Sequence, residues 1–275
     1  MSREVKIAIT TKRLLNFPLY IKKCFFNKNL PDSVYFMTFH KCASTLFANH
    51  LLKQVKGLEH IDYEALVWNG LKRKGEFAFH DRGFIYGPIR LNTSPYSNNH
   101  SLVTAVTKPE FIRDKKVISF VRDPRDIMVS AYYSFGFSHS YSPVKEIQNK
   151  QKKYRNRIQQ ETLDGYVLQA VDQQLDNFKL LESLLKVCKR SILLKYEDMV
   201  FDFEGFAEQL REHIEIDENT LQKLYTQSRP KQKEDFSSHR RSGQTGEFRS
   251  KLKDETIGLL NSKLRDVLEV FEYEP

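Results

Sequence analysis

Val34-Tyr35-Phe36-Met37-Thr38-Phe39-His40-Lys41-Cys42-Ala43-Ser44-Thr45-Leu46-Phe47-Ala48-Asn49-His50-Leu51-Leu52 changes character twice. Its first six residues are rich in β-branched and aromatic side chains, which predicts a buried strand over 34–39. A short polar turn follows, His40 to Ala43. A helix then opens at Ser44, with apolar residues at Leu46, Phe47, Leu51 and Val55. A strand that passes through a tight turn into a helix brings outward-pointing backbone N–H groups to a helix start, where an anion is favoured. Lys41 adds a formal charge to that turn, and Ser44 and Thr45 add hydroxyl donors. Ala43 is expected at negative φ, because its Cβ disfavours the left-handed region that glycine accepts.

The alternation continues outward. Lys116-Val117-Ile118-Ser119-Phe120-Val121 is a near-continuous apolar run, as in a parallel strand covered on both faces. It enters Arg122-Asp123-Pro124-Arg125-Asp126 and a helix through Tyr133, with Pro124 suited to the first turn. Ile192 to Tyr196 predicts a further strand. So does Glu76 to His80, which is followed by turn-forming Gly83, Gly87 and Pro88. Helical periodicity covers 164–188, 203–213, 217–227 and 254–271, and the dense Lys, Arg, Gln and Asn run over 145–160 predicts a solvated helix or loop. Strands alternating with helices predict one α/β domain, a central parallel sheet flanked by helices, over 33–275. Residues 1–32 read as a basic N-terminal extension, in which Leu14 to Ile21 form a short packing helix interrupted by Pro18.

The 275 residues are 40% hydrophobic and 29% charged, an ordinary balance for a folded domain with a sizeable core. No apolar run approaches the roughly 20 residues that cross a bilayer. Ile7-Ala8-Ile9 is too short for a signal peptide, so a cytoplasmic protein without stable membrane insertion is expected. Cys24, Cys42 and Cys188 are too few and too far apart for a disulfide framework or a metal knuckle. The net charge of +9 favours anionic partners. Nucleic acid is not expected among them, because the basic stretches at 145–160 and 228–241 lack the aromatic interleaving of single-strand binders. A cysteine between strand and helix also suits a phosphatase nucleophile. Residues 43–49 lack the arginine that would clamp phosphoryl oxygens, so Cys42 is read as a small residue packed under the loop.

Several stretches together carry a family resemblance. Phe39-His40-Lys41-Cys42-Ala43-Ser44-Thr45-Leu46 resembles the 5′-phosphosulfate loop of the sulfotransferase family, Y-P-K-[SG]-G-[TS]-[TS], with Cys42 and Ala43 as departures. Val121 to Tyr133 resembles the family's 3′-phosphate motif, an arginine, Arg122, followed eight positions later by a serine, Ser130. Arg241-Ser242-Gly243-Gln244-Thr245-Gly246-Glu247-Phe248-Arg249 resembles R-K-G-x-x-G-[DE]-W-K, with Ser242 for lysine and Phe248 for tryptophan. Lys195-Tyr196-Glu197-Asp198 resembles the family's Y-E-D segment.

The resemblance implies the P-loop nucleotide-hydrolase-like sulfotransferase fold. It implies in-line transfer of a sulfuryl group from 3′-phosphoadenosine 5′-phosphosulfate (PAPS) to a hydroxyl or amine of a small-molecule or glycan acceptor. Adenosine 3′,5′-bisphosphate (PAP) leaves, and no metal is required. Lys41 would bridge the 5′-phosphate and the sulfuryl group, within a site formed by Lys41, Cys42, Ala43, Ser44, Thr45 and Leu46. Arg122, Ser130, Arg241, Ser242 and Gly243 would hold the 3′-phosphate, and Tyr196 would contact the adenine. Family members use a histidine or carboxylate near a strand end as general base. His80, at the end of the strand read over 76–80, fits that role, with His139, Asp81 and Glu59 as alternatives. Two other readings stay open. One is a P-loop kinase-like phosphotransferase, which the missing G-x-x-x-x-G-K-[ST] order argues against. The other is a non-catalytic polyanion-binding module.

Overall fold

Five strands and the helices between them make up most of the residues that the computed structural model describes, namely 30–71, 77–92, 100–230 and 242–275. In chain order they are β1 (Val34–Thr38), α1 (Ser44–His50), a short 3-10 turn (Leu52–Gln54), β2 (Glu59–Ile61), α2 (Tyr63–Trp68) and β3 (Phe84–Arg90). Next come α3 (His100–Val106), α4 (Pro109–Ile112), β4 (Lys116–Val121), α5 (Pro124–Tyr133), a π-helical turn (Ser134–Ser138), α6 (Lys145–Gln159) and α7 (Leu163–Val187). The chain closes with β5 (Arg190–Lys195), α8 (Tyr196–Phe201), α9 (Phe203–His213), α10 (Glu218–Ser228), α11 (Phe248–Lys251) and α12 (Asp254–Val270).

The strands form one parallel sheet in the order β2-β3-β1-β4-β5. All five residues of β1 are buried, as its apolar run requires of a strand covered on both faces. Phe36 looks toward Phe47 of α1 (ring centroids 4.8 Å apart), and Phe47 in turn meets Phe206 of α9 at 6.4 Å. Tyr35 looks the other way, to Phe111 of α4 at 5.5 Å. Beyond the strand's end, Phe39 packs on Phe178 of α7 at 4.7 Å. Each such ring contributes about 1.5–3 kcal/mol through its burial. The chain leaves β1 toward β2 and β3 on one side and returns to β4 on the other. The crevice beyond the carboxyl end of β1 is therefore the topological switch point, where open α/β sheets bind ligands.

The predicted strand over 76–80 is not there: Phe77 to His80 are irregular, Glu76 lies outside the described residues, and the strand is Phe84–Arg90 instead. Phe77 and Phe79 are aromatic for packing rather than pairing, and they meet the Tyr63 ring at 5.2 and 5.7 Å. Gly87 and Pro88, read as turn residues, sit inside β3 where the register against β1 shifts between Tyr35 and Met37. Gly87 has φ 144, and a Cβ there would come within 2.6 Å of the Phe36 carbonyl oxygen, so only glycine fits beside β1. Leu30 to Asp32, read with the extension, are docked on the sheet: Pro31 O accepts from Gly83 N (2.8 Å) and Asp32 pairs with Arg190 (2.8 Å). The helix expected over Leu14 to Ile21 lies outside the described residues. Among the described residues no helix is long and apolar enough to cross a membrane.

Candidate active site

The turn after β1 carries two non-glycine residues in the left-handed region, Lys41 at φ 73 and Ala43 at φ 50. The expectation of a negative φ for Ala43 is thus overturned. The conformation costs about 1–2 kcal/mol at a residue with a Cβ. Left-handed residues in a turn are a feature of the backbone nests that hold anions. Cys42 points into the core and is fully buried; burial pushes its thiol up to about 12, so it is no thiolate nucleophile. Lys41 Nζ donates to Ser134 Oγ (2.7 Å), at the start of the π-helical turn.

β4 delivers Arg122 beside this turn. Asp123 then caps α5 by accepting from Arg125 N (2.8 Å), and Pro124 occupies the first helical position. Arg122 is buried. Its Nη2 donates to Asp126 Oδ2 (3.2 Å) and to the Gln244 carbonyl (2.6 Å), and its guanidinium lies 4.6 Å over the Tyr196 ring. Burial works against its charge, but Asp126, Tyr196, Glu197 and Glu247 outweigh that and hold its pKa above the ordinary arginine value. Among the described residues, Arg122 Nε is buried without a hydrogen-bond partner. A buried donor left open is costly, about 1–3 kcal/mol, and calls for an acceptor. A phosphate oxygen delivered to that spot fits the need.

The third motif folds onto the second. Asp126, fully buried, accepts from Gly246 N (2.7 Å) and Phe248 N (3.1 Å), Ser242 Oγ donates to Glu247 Oε1 (2.7 Å), and Tyr196 Oη donates to the Gly243 carbonyl (2.6 Å). Tyr196 thus sets its ring against Arg122 and its hydroxyl on the loop. Arg125 is wholly buried, 4.1 Å over Phe248, held by Asp123 (2.7 Å), Asn261 (2.6 Å) and the carbonyl of Glu274.

Lys41, Ala43, Ser44, Thr45, Leu46, Arg122, Ser130, Tyr196, Ser242 and Gly243 all line one cleft of about 560 Å³. Cys42 does not line it, and Arg241 lies outside the described residues. His80 is not brought to the cleft. It sits at the amino-terminal end of the sheet, roughly 17 Å of strand away from the turn. There its ring packs on Phe84 (5.2 Å) and its backbone N–H donates to Tyr86 Oη (2.7 Å). Asp81, paired with Lys115, and Glu59 share that end. His139 does line the cleft, edge-on to Trp68 (5.8 Å) and Phe135 (5.5 Å).

Sequence reasoning missed the charged pair at the end of β3. Arg90 Nε donates to Ser44 Oγ (3.0 Å), its Nη1 to Glu64 Oε2 (2.8 Å), and its backbone N–H to Glu64 Oε1 (2.6 Å). Both residues line the cleft. Burial pushes the Glu64 carboxyl up and Arg90 pulls it back. A guanidinium on Ser44 Oγ orients that hydroxyl's own proton outward, toward the turn's anion site. The signal was an arginine closing a strand, but that strand had gone unrecognised.

Glu197, in the first turn of α8, accepts from Asp123 N (3.1 Å) and Tyr273 Oη (3.2 Å). Burial, opposed by the Asp123 hydrogen bond, pushes its carboxyl up from 4.5 to about 7. Folding therefore takes up a proton here. The stability tied to it is full below the ordinary carboxylate range and is lost as pH rises through 7. Glu197→Gln keeps an acceptor for Asp123 and cannot ionise. Thermal melts should show the variant's advantage over the parent growing by about 2 kcal/mol between pH 5 and pH 8. Parallel pH dependence of the two chains would refute the assignment.

Comparison with known proteins follows the same lines. The family model described as Sulfotransferase domain matches residues 26–269. Among solved structures, the chain is similar to mouse sulfotransferase SULT7A1 complexed with PAP, at 15% identity and TM-score 0.55, covering 86% of this chain and 84% of that one. It is also similar to retinol dehydratase in a complex with retinol and PAP, at 14% identity and TM-score 0.48, covering 87% of this chain and 82% of that one. The first of these likenesses is one of fold. No curated relative matches the chain in sequence.

Proposed function

The chain belongs to the sulfotransferase-domain family, and from that membership we propose in-line transfer of a sulfuryl group from PAPS to a hydroxyl or amine of a carbohydrate or small-molecule acceptor. One observation carries the reading: Lys41 from one stretch and Arg122 and Ser130 from another line a single cleft.

In this reading the left-handed turn, Ser44 and Thr45 hold the 5′-phosphate, and Arg90 keeps the Ser44 hydroxyl aimed at it. Arg122, Ser130 and the loop at Ser242 and Gly243 grip the 3′-phosphate, the group that separates PAPS from ATP-like donors. Lys41 neutralises the charge that develops on the leaving phosphate oxygen. Positioning and electrostatics supply most of the catalysis in such a displacement, as in phosphoryl transfer. His139 takes the acceptor's proton. It replaces His80 in that role because it lies within the cleft.

Thermal unfolding with nucleotides tests this directly. PAP in the presence of EDTA is expected to stabilise the chain by about 3 kcal/mol at a hundredfold excess over its Kd, with ATP and magnesium giving far less. An equal response to ATP would favour the phosphotransferase reading, and no response to PAP would refute the sulfotransferase one.

A further inference from the structure

Six of the seven charged side chains on α6 are basic, Glu146 being the exception. The whole chain has a surplus of +9, so this one helix supplies more than half of it. A run of like charge along a helix is often no more than a solvated face. Three observations set this one apart.

The helix is fastened to the wall of the cleft. Ile147, Gln151 and Ile158 are buried beneath it, and Ile147 lines the cleft. Gln151 Nε2 donates to the Ser140 carbonyl (3.1 Å), Gln159 Nε2 to that of Gly136 (2.8 Å), and Arg155 to those of Phe135 and His139. The outer face of α6 therefore begins at the cleft mouth and stays fixed relative to it. Its charges are also only partly neutralised. Lys150 pairs with Glu146 (3.0 Å) and Arg157 with Glu161 (3.6 Å). Lys145, Lys152 and Lys153 are exposed and, among the described residues, meet no carboxylate at ion-pair distance. Lys145 and Lys152 stand two turns apart on one stripe. Finally, the rim presents aromatic rings. Phe137 is 49% and Tyr141 38% exposed, with Arg155 at 4.3 Å and Lys152 at 5.8 Å over the Tyr141 ring.

We propose that α6 and this rim bind an acidic polysaccharide and lead one of its sugar hydroxyls into the cleft; the inference rests on the sulfotransferase reading above. Ammonium groups spaced along about 22 Å of helix match anionic groups that recur along a polymer. Exposed aromatic faces match the apolar faces of sugar rings. A bilayer or a duplex would meet the stripe as a broad surface. The stripe instead adjoins the cleft, through Ile147 and the carbonyls of His139 and Ser140.

The test uses labelled polygalacturonate, neutral dextran of equal length, phosphatidylglycerol vesicles and duplex DNA, each titrated with the full chain. Polygalacturonate is expected to bind at least tenfold more tightly than dextran, with affinity falling steeply as salt rises. The triple substitution Lys145→Ser, Lys152→Ser, Lys153→Ser should weaken polygalacturonate binding at least tenfold and leave stabilisation by PAP unchanged. Equal binding of polygalacturonate and dextran would overturn the proposal, as would an unaffected triple variant. So would vesicles or DNA binding more tightly than polygalacturonate through these lysines. A parent chain that binds polygalacturonate but gains no stability from PAP would overturn the transfer reading itself, leaving α6 a binding surface without an acceptor role.

Discussion

Lys41→Ala is expected to lower kcat by about two to three orders of magnitude, the usual cost of removing one positioned donor from a site of developing charge. Lys41 sits in the left-handed region at φ 73 and alanine inherits the same backbone penalty, so the substitution isolates the side chain. The hydrogen bond it loses, to Ser134 Oγ, is partly buried and neutral on the accepting side, so thermal stability should change by about 1 kcal/mol or less. Stabilisation by PAP should survive in large part, because Arg122, Ser130 and the turn's amides remain. The readout is radiolabelled sulfate moved from PAPS to the acceptor that the parent chain uses. A kcat within threefold of the parent would remove Lys41 from the chemistry.

Arg122→Ala should fail differently, in binding and in folding together. Its guanidinium is the partner of Asp126, whose side chain is wholly buried, and it lies within 4.0 Å of the buried Glu247. Breaking a buried pair from one side costs about 3–5 kcal/mol, because a carboxylate stays behind without its cation. Two backbone N–H groups still reach Asp126, from Gly246 and Phe248, which places the loss near the lower end, about 3 kcal/mol. For a chain of this size that is a fall in Tm of roughly 6–10 °C. Stabilisation by PAP should vanish. Arg122→Lys restores the charge without the planar fork, and should recover part of the stability while binding PAP poorly. An undiminished response to PAP in Arg122→Ala would mean that the 3′-phosphate is held elsewhere.

The two halves of the cleft were not equally legible. The turn after β1 could be read because it is local: a strand, a four-residue turn and a helix lie next to one another in sequence. Arg122 and Ser130 sit on one strand–helix connection and were legible for the same reason. Gly243 and Gly246, both at positive φ, gave the third loop away. The pair Arg90 and Glu64 was hidden, because it exists only once β3 lies beside β1. β3 contains the glycine and proline that punctuate loops elsewhere, and close approach to the Phe36 carbonyl, not a turn, is what demands the glycine. His80 was misplaced for a related reason. Phe77 and Phe79 have strand-like composition, but their rings fill a corner of the core, and the histidine that follows them is left at the wrong end of the sheet. The basic run at 145–160 did form a helix, Lys145–Gln159, and only its anchorage to the cleft wall separates it from any other charged surface helix.

Tyr273 and Glu274 bear on the site although neither lines the cleft. The Glu274 carbonyl accepts from the buried Arg125, and the Tyr273 hydroxyl donates to Glu197. Losing these two residues would strip both contacts and leave the Arg125 guanidinium with Asp123 and Asn261 as its hydrogen-bond partners among the described residues. Changes at Tyr273 or Glu274 would therefore reach Glu197 and Arg125 without touching a residue that lines the cleft.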